Sequence, residues 1–583
     1  MLPIEIWFLG EVCRWRHVAS IIWFILLLPP VSFVYLFLAQ IYLFHPWTWI
    51  SNFLYMWFSL WFLIGVNFIV FVHSAHMWFS FSSFTVVPVI YNTRCERFLS
   101  LFRMSRLPYL VSYVALGIIM AWSAASFFIG ERFAGLTYKL TTSSDAVYLN
   151  ESHLFLILYG VYLGVVAYGD FILHTNYLEF PVVQRKKIER IKLEIVPLLN
   201  RCAKQTLQKL KYFYILYFFF GAIPRRWVCT SINRTIHPEI RPLDSILGLF
   251  DMELLWQTLT FGMFANVCWS LGTLLVKVHH TEHYAFQIVH ILQASRDKCL
   301  SDALSSRSIP LLQYLGYQDV SHLSQFSPIR RKEVFSLSQP GGHPHIWNKL
   351  CSACLSSIDE LISHVHRANW QAVTALPLKK PVAAKNSNFN HTANISGSFL
   401  NQTGPNLSMS VEHSLNTTNP PVVQQAKPVW KRKISLIIKE NSLLHYFFNE
   451  LPNAKSHSLF ASAQPSIWSI EALSFLVAAS YSEDQYGVVQ QTLPNILTSL
   501  LTLHENVEKY SKLTSSVCHP SHKDQLTSGM GSLRYRLQIT LKTSIHRIVD
   551  SFGKHLLNVH LSPECAKMLK PFMEMRHGVH SLE

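Results

Sequence analysis

The stretch VASIIWFILLLPPVSFVYLFLA (Val18–Ala39), followed closely by FLYMWFSLWFLIGVNFIVFV (Phe53–Val72), decides the class of fold. From His17 to Thr93 the chain carries no Asp, Glu, Lys or Arg. A soluble core cannot absorb so long an uncharged run, but a bilayer takes two helices of about 20 residues each from it. Pro29-Pro30 is expected to kink the first span rather than end it, because lipid offers a broken backbone no water. A signal peptide is a poor alternative: the apolar stretch is too long, and Glu5 and Glu11 spoil the basic flank.

Outward from this hairpin, Leu107–Ile129, His153–Leu173, Tyr212–Ile223 and Leu254–Val276 complete six expected transmembrane helices within residues 1–277. The fifth is short. Lys209, Lys211, Arg225 and Arg226 could snorkel to help it cross, and a re-entrant segment is the competing reading. Composition agrees with a membrane protein: 583 residues are 50% hydrophobic and only 14% charged. The formal charge of +16 points to an acidic partner, and lipid headgroups suit it better than nucleic acid, since no basic, aromatic-interleaved surface accompanies it. Lys and Arg number 16 on the N-terminal side of the expected spans against 6 on the other, which predicts both termini in the cytoplasm. The sequons at Asn150 and Asn233 then fall in lumenal loops. Within the spans, Asp170 reads as an interfacial acid, and Gly160 and Gly164 form a GxxxG that is equally well a chance match.

The remaining chain alternates in character. Residues 278–377 predict a membrane-proximal helical segment, residues 378–427 a disordered Asn/Ser/Thr-rich linker, and residues 428–583 a helical C-terminal partner-binding domain. Five sequons in the linker (Asn390, Asn394, Asn401, Asn406, Asn416) are read as products of its composition. Trp430, Lys431, Arg432, Lys433, Ile434, Ile437 and Ile438 form a candidate membrane-interface helix; docking on its own domain is the alternative. The fold class expected is thus an all-α membrane protein with six spans and a cytosolic α-helical domain interrupted by the linker.

Motifs for chemistry are absent: no Walker loop, nucleophile elbow or HExxH occurs. Cys351 and Cys354 form a lone CxxC, and His364 and His366 have the wrong spacing for a zinc finger, so helix packing is the better reading. His279, His280 and His283, beside the sixth span, are expected at the headgroups. No catalytic residue, cofactor, metal or direct nucleic-acid contact is expected. A transporter or lipid-modifying enzyme, the alternative class, needs paired polar groups deep in the bilayer.

The run from Arg330 to His345, and within it Phe335, Ser336, Leu337, Ser338, Gln339, Pro340, Gly341, Gly342, His343, Pro344 and His345, closely resembles a signature of the Ndc-type transmembrane nucleoporins. Similar matches follow in order at Trp15–Trp23, Leu43–Pro46, Met120–Ala125, Arg241–Asp244, Ile467–Leu473 and Gly487–Pro494. The resemblance implies a protein of the nuclear pore membrane that anchors the pore complex, recruits scaffold nucleoporins and supports pore assembly. It implies six spans with both termini on the pore side. The partners implied are the β-propeller nucleoporin ALADIN, inner-ring scaffold nucleoporins, other pore-membrane proteins and the bilayer itself. The linker departs from the family in being short and Asn-rich. The Phe-Gly pairs are isolated, so no permeability-barrier role is expected.

Overall fold

The computed structural model describes the chain except for residues 1–2, 42–44, 140–146, 236–241, 246–247, 249, 289–297, 338–341, 376–441, 452–453, 518–528 and 581–583. It divides into two units, one of residues 1–369 with 450–583 and one of residues 370–449. In the smaller unit, the described part outside the end of a long helix is the short helix Ser442–Phe448, which exposes Leu444, Tyr446, Phe447 and Phe448.

The larger unit begins with the apolar helices. Those of the bundle are α1 (Arg14–Ala39), α2 (Pro46–Trp57), α3 (Leu60–Ser80), α4 (Leu107–Phe127), α5 (Glu151–Asp170), α6 (Lys187–Phe220), α7 (Ala222–Ile232) and α8 (Met252–His280). Among the described residues five helical stretches are long and apolar enough to cross a membrane: Pro3–Ala39, Leu60–Ser83, Met104–Phe127, Glu151–Thr175 and Met252–His280. The chain is therefore an all-α membrane protein, with α1 continuous through Pro29 and Pro30 as expected.

Two expected spans take a different form. The stretch Phe53–Val72 is divided at Phe58-Ser59. The Ser59 hydroxyl accepts from the Trp61 amide and starts a new helix, so the long apolar helix runs over Leu60–Ser80 instead. Tyr212–Ile223 is not a separate short helix. Most of it is the apolar end of α6, a 34-residue helix whose other half bears Lys187, Arg190, Lys192, Arg201 and Lys204. Those charges keep α6 out of the set of apolar helices.

Contacts at the helix ends set the bundle's order. At one end, Phe81 after α3 stacks on His280 of α8 at 4.5 Å. There too Tyr168 of α5 donates to the Leu101 carbonyl at 2.6 Å, just ahead of α4, and Arg190 of α6 donates to Thr281 at 2.7 Å. At the other end Gln40 donates to the Phe128 carbonyl, Gln257 to the Ala39 carbonyl and Tyr217 to Glu151. Helices α1, α3, α4, α5, α6 and α8 thus alternate in direction. Helix α6 lies antiparallel to α8 over most of its length, with Cys202 beside Ser270, Lys209 beside Asn266 and Tyr214 beside Thr258. Helix α8 is the shielded centre: 78% of its most apolar stretch is buried, against 28–44% for the other four stretches. Trp15, Trp47, Trp61 and Trp78 stay exposed on the outside, where a lipid-facing indole belongs. A two-stranded antiparallel ribbon, β1 (Thr137–Lys139) with β2 (Val147–Leu149), lies between α4 and α5.

A second apolar core holds the helical domain, built from α9 (Pro310–Phe326), α10 (Pro328–Phe335), α11 (His345–Ala375), α12 (Gln464–Glu483), α13 (Leu493–Val517), α14 (Gly529–Phe552) and α15 (Pro563–His580). Leu315, Val320, Trp347 and Ile358 share it with Leu473, Leu476, Leu497, Leu537 and Leu541. Residues of the 278–377 stretch and of the 428–583 stretch thus share one core. Amphipathic helices from each stretch bury their apolar faces against the other's. Ile4 and Phe8, at the start of the chain, are buried in the same core. The expected linker, residues 378–427, lies outside the described residues.

Candidate functional site

No reactive cluster emerges from this packing. Among the described residues no group of three or more His, Cys, Asp or Glu side chains is placed to hold a metal ion. Cys351 and Cys354 are free and buried in α11, and burial pushes the Cys351 thiol up to about 11, which keeps it protonated and unreactive. The informative polar groups instead form a joint between the bundle and the helical domain.

That joint starts where α8 ends. His280 is buried against Phe81 and His17, and His283 turns inward, so neither stands free at the headgroups as expected. His283 Nε2 lies 2.9 Å from Oδ1 of Asp319, whose side chain is fully buried in α9. The same carboxylate accepts two bonds from the Arg330 guanidinium at 2.8 and 2.7 Å and one from the Phe286 amide at 2.9 Å. Burial on its own would raise the Asp319 carboxyl. The hydrogen bonds from Arg330 and His283 outweigh it and hold the group below its ordinary value. Arg330 also donates to the Phe286 carbonyl at 2.7 Å. One carboxylate thus ties the segment leaving the last membrane helix to α9 and α10.

The signature stretch continues this joint. Arg331 makes a bidentate pair with Glu483 of α12 at 3.0 and 2.6 Å. Phe335 is buried with its ring 6.0 Å from that of Trp347, and the Trp347 indole donates to Thr492 at 3.0 Å. Ser336 donates to the Glu333 carbonyl, and Leu337 packs against the core. The His345 amide donates to the His343 carbonyl and the Asn348 amide to the Pro344 carbonyl, starting α11 just past Gly342. Ser338, Gln339, Pro340 and Gly341 lie outside the described residues. So does the candidate interface helix, Trp430, Lys431, Arg432, Lys433, Ile434, Ile437 and Ile438. The described part of the signature joins helices. Glu471, in another family-like stretch, accepts from Ser321 of α9 at 3.1 Å, so stretches far apart in sequence meet in one core.

Inside the bundle two polar groupings were invisible in the sequence. Asp170 has a charged partner, Lys209, at 3.2 Å, and Lys209 also donates to Asn266 at 2.9 Å. Toward the other end Glu151 accepts from Tyr217 and Arg225 at 3.0 Å and from the Leu243 amide, while Arg225 grips Asp244 with two bonds of 2.8 and 2.7 Å. The GxxxG is a true contact: Gly160 and Gly164 of α5 face the backbone of Gly117 and Tyr113 in α4. Sequence spacing carries no trace of pairings between residues 19 to 92 positions apart.

The two sequons of the bundle differ in kind. The Asn150 side chain caps α5, and its amide donates to the Arg132 carbonyl at 2.7 Å. Asn233 is exposed and holds a left-handed φ of 56° at the end of α7. Any N-glycan on these two positions is expected on Asn233. A mobility shift with peptide-N-glycosidase should disappear in Asn233→Gln and persist in Asn150→Gln.

Comparison with known proteins adds family to this geometry. The model of the family described as Nucleoporin protein Ndc1-Nup matches residues 11–570. Nucleoporin NDC1 of Danio rerio is 31% identical over 670 aligned residues, covering 98% of this chain and 99% of the relative. Nucleoporin NDC1 of Homo sapiens is 31% identical with coverage of 97% and 98%. Nucleoporin ndc-1 of Caenorhabditis elegans matches over 45% of this chain at 26% identity.

Proposed function

Because the chain belongs to the Ndc1 nucleoporin family, and so is a membrane nucleoporin of the nuclear pore complex, we propose that it moors the complex in the nuclear envelope, recruits scaffold nucleoporins and supports pore assembly. Like its relatives it is a structural protein and not an enzyme. It resides at the pore membrane and associates with other nucleoporins. The finer partners proposed are the β-propeller ALADIN, inner-ring scaffold nucleoporins and other pore-membrane proteins.

The observation that carries the mooring role is the Asp319 joint, because an anchor must hand load from membrane helices to its docking domain without a slack tether. The proposed topology has six crossings and both termini on the cytoplasmic, pore-facing side. Its support is the antiparallel run of α6 along α8, the burial of Ile4 and Phe8 in the helical domain, and the excess of Lys and Arg on that side. A C-terminal fluorescent tag on the full chain should give a punctate nuclear rim and co-capture inner-ring nucleoporins. The tag should be digested by protease once the plasma membrane alone is permeabilised. A tag protected inside the envelope would refute the topology, and a diffuse membrane pattern without captured nucleoporins would refute the mooring role.

A further inference from the structure

A cavity of about 930 Å³ lies between one end of the bundle and the underside of the helical domain. Its walls are the end of α5 with the turn Phe171–Thr175, one side of α6, the second half of α8, and Tyr314, Gln464 and Arg536 from the domain above. Its depth in a bilayer follows from helix lengths. Helix α5 has 20 residues and rises about 30 Å, the thickness of the hydrocarbon layer, so its terminal Asp170 and the paired Lys209 mark the hydrocarbon boundary. Lys277 is 11 residues past Asn266 on α8, about 16 Å further out, and so stands outside the hydrocarbon layer on the side of the helical domain.

The charges lining the cavity are unevenly matched. Asp170 is taken by Lys209 and Glu194 by Arg190. Arg201 and Lys277 have no ion-pair partner within 4 Å among the described residues, and Arg536 donates only to the Gln464 amide oxygen at 3.3 Å. Against these three cations stands one further carboxylate, Glu179. Ala167, three residues inward of Asp170, and Trp269 line the deeper part with apolar surface. An excess of cations over carboxylates beside a low-dielectric layer is costly, and a phosphate that brings its own acyl chain relieves both needs at once.

We propose that this cavity binds the phosphorylated headgroup of an anionic phospholipid, with Arg201, Lys277 and Arg536 around the phosphate and an acyl chain along Ala167 and Trp269. A zwitterionic choline headgroup would add positive charge where the wall already has an excess. The site rests on the membrane character of the chain and not on its mooring role, so it can be tested outside the pore.

The test is native mass spectrometry of the full chain in neutral detergent, titrated with phosphatidylinositol 4-phosphate, phosphatidylcholine and soluble inositol 1,4-bisphosphate. The anionic lipid should bind at least tenfold tighter than phosphatidylcholine, and the triple variant Arg201→Gln, Lys277→Gln, Arg536→Gln should lose at least tenfold of that binding. Arg201→Gln alone, at an exposed position, should give a partial loss with an unchanged elution profile, which separates lost binding from misfolding. Equal binding of the two lipids, or an unaffected triple variant, would overturn the site. Soluble bisphosphate binding as tightly as the lipid would keep the phosphate site and overturn its assignment to lipid.

Discussion

Gly160→Leu is expected to leave little monodisperse protein after detergent extraction, whereas Gly169→Leu, nine residues along the same helix, is expected to behave like the parent. The reason is backbone against backbone. A Cβ at Gly160 would strike the Gly117 carbonyl and come within 2.7 Å of the Ala121 Cβ; one at Gly164 would reach 2.6 Å from the Tyr113 carbonyl. No flexible side-chain end can yield there, so α4 and α5 must part. Between membrane helices there is no hydrophobic force to restore the contact, because lipid is as apolar as the interface it replaces. Overpacking commonly costs 1–3 kcal/mol, and a rigid obstacle should push this variant to about 3 kcal/mol or beyond. A Cβ at Gly169 meets nothing within 4 Å. Fluorescence-detected size exclusion after a heating series reads the difference. If both variants elute alike, close helix approach does not hold this bundle together.

The second large effect belongs to Asp319. Asp319→Ala removes the acceptor of four hydrogen bonds and strands the Arg330 guanidinium, whose side chain is only 20% exposed. Breaking one partner of such a pair costs about 3–5 kcal/mol. For a domain of this size that corresponds to a fall in Tm of roughly 10 °C. The sign of the pH dependence follows from the depressed carboxyl. Its stabilising contribution is complete above the unfolded value, close to pH 4, and fades as pH falls through the lower folded value. The parent should therefore lose this contribution on acidification below about pH 4, and Asp319→Asn should show a shallower acid limb. Thermal unfolding monitored across that range checks both; a variant as stable as the parent would show that the joint carries no load.

Much of the bundle is legible in the sequence because a long apolar run without charges is stable almost nowhere except in lipid. The third, fourth and sixth stretches fall within a few residues of α4, α5 and α8. The break at Phe58-Ser59 is not legible, since every neighbour is apolar and only a hydroxyl cap marks the change. Helix α6 escapes for the opposite reason: a hydropathy reading selects its apolar end and discards the charged half that continues the same helix. Asp170 stands alone in the sequence because its partner Lys209 sits 39 residues later. Asp319 gives no signal at all, as one acid in a polar stretch carries no warning of complete burial. Arg330 does stand out, as the first residue of the signature, although its bond to Asp319 cannot be foreseen.

The shared core of the helical domain has a consequence for biosynthesis. Its apolar residues arrive in instalments, from Ile4 and Phe8 through Leu315 and Trp347 to Leu473, Leu541 and Phe572. Membrane insertion of the early helices can finish while the ribosome is still hundreds of codons from the end, but this core closes only when the last instalment emerges. A nonsense codon after α11 would leave an inserted stub displaying Trp347, Ile358 and Val365 without cover, a substrate for quality control rather than a shorter working subunit.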